Sequence, residues 1–307
     1  MNLIEQASQL DTRGRKSCLA IGVFDGVHLG HQQIIRQTIA DARQHNALSV
    51  VVTFDRHPSA IVAPDRVPPL LYSPAQKLRA LAALGADATL TIPFTREFSA
   101  QPGEEFIRAL VARLAPVQSV CVGQSFVFGR QRSGDVKLLQ KLGAELGFNV
   151  HGLAAVSLDG EVVSSTRIRE ALRAGEFSRA SQMLGREYAL AGLVQRGDAL
   201  GRTLGFPTAN LDARGLLVPP HGVYAAHAWV RGTRHRAAVN IGLRPTLQQA
   251  APVLRVEAHL LDFDGDLYGE EMELTFVEKL RDEQKFSSVE ALRAQIARDI
   301  QAARTKF

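Results

Sequence analysis

The sequence predicts an α/β plus all-β chain, in which a half built on a parallel sheet covered by helices is followed by a small β-barrel with a terminal helix. Three observations lead there. From residue 18 to about residue 156, apolar strand-like runs alternate with amphipathic helical stretches, the pattern of a doubly wound sheet. After Gly185 the runs shorten, glycine and proline become denser, and the spacing suits a small barrel. Helical periodicity returns only over residues 287–304. A chain of 307 residues, 46% of them hydrophobic, can fill two cores at about 150 residues per domain. The change in texture places the boundary near residues 183–188, dividing the chain into 1–184 and 185–307.

The first strong strand, residues 18–21, runs straight into Gly22-Val-Phe-Asp-Gly-Val-His-Leu-Gly-His31. Gly22, Gly26 and Gly30 let backbone approach a ligand closely, while His28 and His31, three residues apart, share a face where a helix begins. Unpaired N–H groups and the positive end of the helix dipole favour an anion there, and the imidazoles add donors. A His-x-x-His pair also serves structural hydrogen bonds or a metal. The glycines and the strand-turn-helix context favour stabilisation of a phosphoryl group in transfer.

The helix over residues 31–44 carries Ile34, Ile35, Thr38, Ile39 and Ala42 on one face, and the helix over 73–84 opens with a Ser73 cap and Pro74. Leu48–Phe54, Ala88–Ile92, 119–122 and 150–156 are the further strands. Ligands in such sheets bind beyond the carboxyl ends of the strands, and Thr53-Phe-Asp-Arg-His-Pro58 ends its strand at that edge. In Val163-Ser-Ser-Thr-Arg-Ile-Arg169, Ser165 and Thr166 stand at helix-cap positions. Arg167 in the first turn runs against the dipole, which a bound anion would explain.

In the second half the expected strands are 188–195, Gly222–Val230, 236–241, 254–261 and 271–277. The glycine-rich loop 197–210, with Gly201 and Gly205, is not a Walker A sequence, since no Gly-Lys-Ser/Thr follows the glycines. Thr208 and Asn210, at alternate positions, point the same way, as hard ligands for Mg²⁺ on a nucleotide would. Val256, Ala258 and Leu260 alternate with Arg255, Glu257 and His259, which puts the Glu257 carboxylate on a polar face.

Residues 1–15 mix charged with scattered apolar residues, and no later run approaches the about 18 apolar residues of a membrane span, so a cytoplasmic protein without membrane partners is expected. Cys18 and Cys121 sit in apolar runs and read as small buried hydrophobes in a reducing compartment. The net charge of +5 is dispersed, with no Lys/Arg block and 6% aromatic residues. That pattern points to polyphosphate substrates and away from nucleic acid. No repeat or low-complexity tract appears, and oligomeric state is not written in the chain.

GVFDGVHLGHQ, with its HxGH signature, resembles the adenylyltransferase half of the bacterial bifunctional riboflavin kinase/FAD synthetase family. TFDRHP resembles that family's TFDPHP, with Arg56 in place of the first proline, and SSTRIR matches a family motif. The segment 122–134 resembles GxxFxFGxxxxG, with Gln124 and Ser125 where the family usually places Asp, Glu or Asn. GRTLGFPTANL is similar to the riboflavin kinase signature, followed in order by segments 221–225, 239–246, 256–263, 265–269 and 280–286.

The resemblance implies a Rossmann-like nucleotidylyltransferase domain and a riboflavin kinase barrel, making FMN from riboflavin and ATP and then FAD with release of pyrophosphate, with Mg²⁺. It implies that Gly22, Phe24, Asp25, Gly26, Gly30, Ser165, Thr166 and Arg167 line the first nucleotide site, where His28 and His31 bond the transferring group. It implies that Gly201 and Gly205 cradle the second nucleotide, that Glu257 is the general base, and that Arg281, Glu283 and Phe286 form a flavin-side flap. The shorter Ser125 leaves a second reading, a flavin-binding or regulatory protein keeping only the kinase activity.

Overall fold

The computed structural model describes the chain apart from residues 6–8, 115, 198–199 and 245–252. Asp198 and Ala199 of the glycine-rich loop, and Pro245 and Thr246 of segment 239–246, therefore lie outside the described residues. The chain forms two compact units, Met1–Ser165 and Thr166–Phe307.

The first unit contains β1 (Asn2–Ile4), β2 (Ser17–Ile21), α1 (Leu29–Gln44), β3 (Leu48–Phe54), α2 (Ser59–Val62), α3 (Pro74–Ala83), β4 (Ala88–Ile92), α4 (Arg96–Ser99) and α5 (Gly103–Leu114). β5 (Val117–Gly123), α6 (Val136–Leu146), β6 (Asn149–Leu153) and a small ribbon of β7 (Ser157–Leu158) and β8 (Glu161–Val162) follow. Six strands form a parallel sheet in the order β1-β4-β3-β2-β5-β6. Every residue of β2 and β3 is buried, because helices cover both faces, so these strands read as near-continuous apolar runs in which only Ser17, Ser49 and Thr53 are polar.

One face packs Ile34, Ile35 and Ile39 of α1 with Leu81 of α3. The other packs Phe106, Ile107 and Leu110 of α5 with Leu139 and Leu142 of α6. α3 is opened by Pro74 and a reciprocal capping box, Gln76 N–H donating to Ser73 Oγ at 3.1 Å and Ser73 N–H to Gln76 Oε1 at 3.2 Å. Cys18 and Cys121 are free and fully buried, and burial pushes the Cys121 thiol up to about 12, which leaves it inert. The edge strand β1 was not expected, since three residues are too few to display a period.

The second unit holds α7 (Ser165–Arg173), whose first residue belongs to the first unit, and α8 (Phe177–Leu184). These helices group with the barrel although they precede the compositional boundary near 183–188. Phe177 of α8 lies 5.2 Å from Phe276 in a stacked arrangement and edge-on to Tyr224 at 5.9 Å. Next come β9 (Ala189–Gln195), α9 (Leu200–Thr203), β10 (Ala209–Leu211), β11 (Gly222–Val230), β12 (Thr233–Arg244), β13 (Val253–Leu260), β14 (Glu271–Arg281) and α10 (Val289–Arg304).

The strands close an antiparallel barrel in the order β10-β13-β12-β11-β14-β9. The sixth strand, β10, hides in the end of the glycine-rich loop, and its three residues close the barrel between β13 and β9. α10 starts at a Ser288 cap and lays Ile300 and Ala303 against Ala225, Ala238 and Leu261. It is tied to the end of β14 by Arg281, which donates from Nε and Nη2 to the two Asp299 oxygens at 2.9 and 2.6 Å, and Gln295 adds a bond of 2.8 Å.

Removing one partner of such a pair leaves the other charge in a poorly solvated place. Asp299→Ala is expected to destabilise the second unit by about 3 kcal/mol and to speed amide exchange across residues 289–304, measured by urea unfolding and hydrogen exchange. Unchanged exchange in α10 would show that the ion pair does not hold it.

Candidate active sites

The first site grows from the carboxyl end of β2. The chain leaves Ile21 and turns through Phe24 and Val27, both with left-handed backbone at φ 53° and 43°, on either side of Gly26 at φ 76°. A β-branched residue in that region is strained, so the fold around it must hold it. It does so with several bonds. The buried Asp25 carboxylate accepts from Leu71 N–H at 3.0 and 3.2 Å and from Tyr72 N–H at 3.4 Å. Ser165 Oγ donates to Asp25 O at 3.1 Å, Gln32 Nε2 to Val27 O at 3.0 Å, and Thr53 Oγ1 to Val23 O at 3.1 Å.

His28 is the N-cap of α1 and not part of it, with φ −70° and ψ 174°, whereas His31 stands in the first turn. The two nevertheless converge: their rings stack at 3.6 Å between centroids with 21° between planes, and Phe24 meets His31 edge-on at 5.3 Å. The glycines make room for this. A Cβ on Gly22 would come within 2.9 Å of the Phe24 ring, and one on Gly30 within 3.3 Å of His28 Cε1. Asp25 was expected to line the nucleotide site, yet its carboxylate anchors the 71–72 backbone. Ser165 reaches the turn, and Thr166 and Arg167 continue α7 into the second unit.

At the carboxyl end of β3, Asp55 accepts from Phe94 N–H at 2.8 Å and pairs with Arg56 at 2.9 Å, and His57 Nδ1 accepts from Ser59 N–H at 3.2 Å. Gln124 and Ser125 are exposed just past β5. A file of aromatic rings, Phe54, Phe94, Phe98, Phe106, Phe128 and Phe126, runs along this region with neighbouring centroids 5.2 to 6.3 Å apart. Sequence reading passed over it because the rings come from separate elements, and only the Phe94/Phe98 and Phe126/Phe128 spacings hint at it.

The second site lies on the outer face of the barrel, beside α10. Glu257 of β13 stands directly across from Asn210 of β10 on one side and Asn240 of β12 on the other, so the three side chains share a face. With Thr208, Arg255 and Arg281 they line a cavity of about 280 Å³. A second cavity of about 290 Å³ shares Thr208 and is bounded by Arg202, Phe263, Asp264 and Tyr268. Gly201 is required by closeness, since a Cβ there would lie 2.5 Å from Phe206 O and 3.0 Å from Thr208 Oγ1. Gly205 takes φ +88°.

Asn210 Oδ1 is buried and has no hydrogen-bond partner among the described residues. An orphaned oxygen near a hydroxyl fits a hard cation that keeps its remaining ligands from water and phosphate. No group of three or more His, Cys, Asp or Glu side chains that could hold a metal occurs among the described residues. Arg281 reaches the cavity wall, its Cζ 5.9 Å from the Phe286 ring, with its guanidinium held by Asp299. Glu283 lies over Gly242, where a side chain would collide with its carboxylate. Asn240 was quoted within a motif but not singled out; its place between the inward Val239 and Ile241 on β12 was the available signal.

Comparison with known proteins gives a consistent picture. Residues 10–167 match the FAD synthetase family and residues 184–307 the riboflavin kinase family. The chain is 39% identical to the bifunctional riboflavin kinase/FMN adenylyltransferase of Escherichia coli K12 over all of its length and 98% of that protein. Its identity to the protein of the same description from Pseudomonas fluorescens is 38%, over 99% of this chain and 97% of that one. Among solved structures it resembles one described as a macrolide-efflux protein from Streptococcus pneumoniae, with a TM-score of 0.81 and 28% identity over 98% of each chain. In this chain no helix among the described residues is long and apolar enough to cross a membrane.

The Asp25 anchor can be tested by stability alone. Asp25→Ala strands two buried N–H donors and is expected to lower the unfolding free energy of the first unit by about 1–3 kcal/mol in urea titrations. Asp25→Asn, which keeps one acceptor, should lose less. An Ala variant as stable as the parent would remove the anchoring role.

Proposed function

The chain belongs to the family of bifunctional riboflavin kinases/FMN adenylyltransferases, and from that premise we propose how its residues divide the two reactions. The enzyme phosphorylates riboflavin to FMN with ATP and adenylylates FMN to FAD with release of pyrophosphate. We assign the kinase to residues 185–307 and the adenylyltransferase to 1–184. The matched family ranges, 184–307 and 10–167, support that division.

In the kinase, Glu257 takes the proton of the ribityl 5′-hydroxyl as that oxygen attacks the γ-phosphorus of ATP and ADP leaves. The alignment of Asn210, Glu257 and Asn240 across neighbouring strands on one cavity is the observation that carries this reading. The cavity bearing Phe286 and Arg281 takes the flavin, and the adjoining cavity that shares Thr208 takes the nucleotide. Gly201 and Gly205 shape the loop between them. Thr208 and Asn210 would hold Mg²⁺, which when bound offsets the charge of the triphosphate.

In the adenylyltransferase the FMN phosphate attacks the α-phosphorus of ATP in line. Its oxygen is already ionised, so no general base is needed, and positioning and charge stabilisation dominate. His28 and His31 donate to the transferring phosphoryl group at the start of α1, where the helix dipole also favours anions. Gly22, Phe24, Gly26 and Gly30 give the turn its shape, and Ser165, Thr166 and Arg167 attend the outer phosphates. The likeness to bifunctional relatives over the whole chain favours two activities over a flavin-binding or regulatory protein that keeps the kinase alone. Dispersed basic residues support a cytoplasmic enzyme of small molecules, with neither nucleic acid nor membrane as partner.

Two variants test the assignment, each followed by resolving riboflavin, FMN and FAD over time. His31→Ala should reduce FAD formation at least about tenfold and leave FMN formation intact; FAD synthesis at the parental rate would remove His31 from the site. Glu257→Gln should slow riboflavin phosphorylation by about 10²–10⁴ while FAD synthesis from supplied FMN persists. Parallel loss of both activities would mark a folding defect and not the loss of a base.

A further inference from the structure

Lys77 of α3 is a partly buried cation that the reaction as described leaves without a role. Its Nζ donates to Phe54 O at 2.8 Å and to Thr53 Oγ1 at 3.3 Å, and it makes no ion pair among the described residues. Asp25 and Asp55 are the carboxylates that face it, and each is bonded elsewhere: Asp25 to the Leu71 and Tyr72 N–H groups, Asp55 to Phe94 N–H and Arg56. Burial pushes the ammonium pKa down, and the two carboxylates oppose this without restoring it. Withdrawing a charge from water with no contacting counter-ion is unfavourable, and a hydrophobic or neutral residue would pack there more cheaply. Groups whose pKa is perturbed by burial cluster at functional sites.

Its place in the fold connects it to the turn between β2 and α1. Phe54 is the last residue of β3, and its carbonyl lies at the sheet edge where ligands gather. Thr53 Oγ1, which accepts from Lys77, donates in turn to Val23 O, inside the strained turn between β2 and α1. A cation on the acceptor side of a hydroxyl strengthens that hydroxyl as a donor. Lys77, Thr53 and Val23 thus form one line from α3 to the turn that carries Phe24 and Val27 at positive φ. That turn sets where His28 begins the helix.

We propose that Lys77 is a positioning residue of the adenylyl-transfer site, holding through Thr53 the strained turn that presents His28 and His31 to the phosphates. This rests on the assignment of that site to FAD formation. Riboflavin phosphorylation in the same molecule serves as the internal control.

The test uses the full chain with Lys77→Met and Lys77→Arg. Lys77→Met is expected to lower kcat for FAD formation from FMN and ATP about tenfold, with a smaller change in KM, and to leave FMN formation at the parental rate. The lysine charge is present below its folded pKa and lost as pH rises through it. The parental kcat for FAD should therefore fall on the alkaline side below the ordinary lysine range. Lys77→Arg, whose charge does not titrate there, should move that alkaline limb upward. Parental FAD formation by Lys77→Met, or an alkaline limb unmoved in Lys77→Arg, overturns the proposal. If Lys77→Met loses both activities through misfolding, the limb of Lys77→Arg decides. A parent protein that makes FMN but no FAD would instead remove the site assignment itself.

Discussion

Polar groups taken out of water must find partners, and both units are organised around that constraint. In the first, a turn that backbone sterics disfavour is kept in place because Asp25, Ser165, Gln32 and Thr53 each close a hydrogen bond onto it or onto its neighbours. In the second, Arg281 meets Asp299 and Asp299 also meets Gln295, so a charge pair buried under the last helix is satisfied twice over. Against that background the exceptions carry information. Among the described residues Asn210 Oδ1 has no hydrogen-bond partner and Lys77 makes no ion pair.

The two reactions ask different things of a protein, and the two architectures match them. A hydroxyl nucleophile holds its proton until late, a demand that the proposed base Glu257 would meet from a strand between two asparagine-bearing neighbours. A phosphate nucleophile is ionised from the start. The adenylyltransferase therefore needs donors and field in place of a base, and a parallel sheet delivers a helix start at the carboxyl end of its central strand.

Much of this was legible in the sequence, for identifiable reasons. β3 is a mostly apolar run because it is covered on both faces, and Glu257 could be placed on a polar face because Val256, Ala258 and Leu260 alternate with it. β1 and β10 escaped notice because three residues display no period. The helix was expected from residue 31, yet it begins at Leu29 with His28 as its cap, since spacing alone does not fix the first helical residue. Asp25 sat in a motif that suggests ligand contact, and only coordinates reveal that its carboxylate turns toward the 71–72 backbone. The role of Asp299 depends on Arg281, eighteen residues away, a pairing that no local pattern announces.

The pairing of β1 with β4 also bears on how much open edge the sheet presents. A closed barrel has no open rim, whereas the sheet of the first unit ends in two. Along one rim Asn2, Leu3 and Ile4 occupy the backbone positions beside Ala88, Thr89 and Leu90, and without them the free amides of β4 would offer a template on which a second chain could build. A three-residue strand thus takes the rim in place of the longer β4, and a short edge is a poor template for another chain.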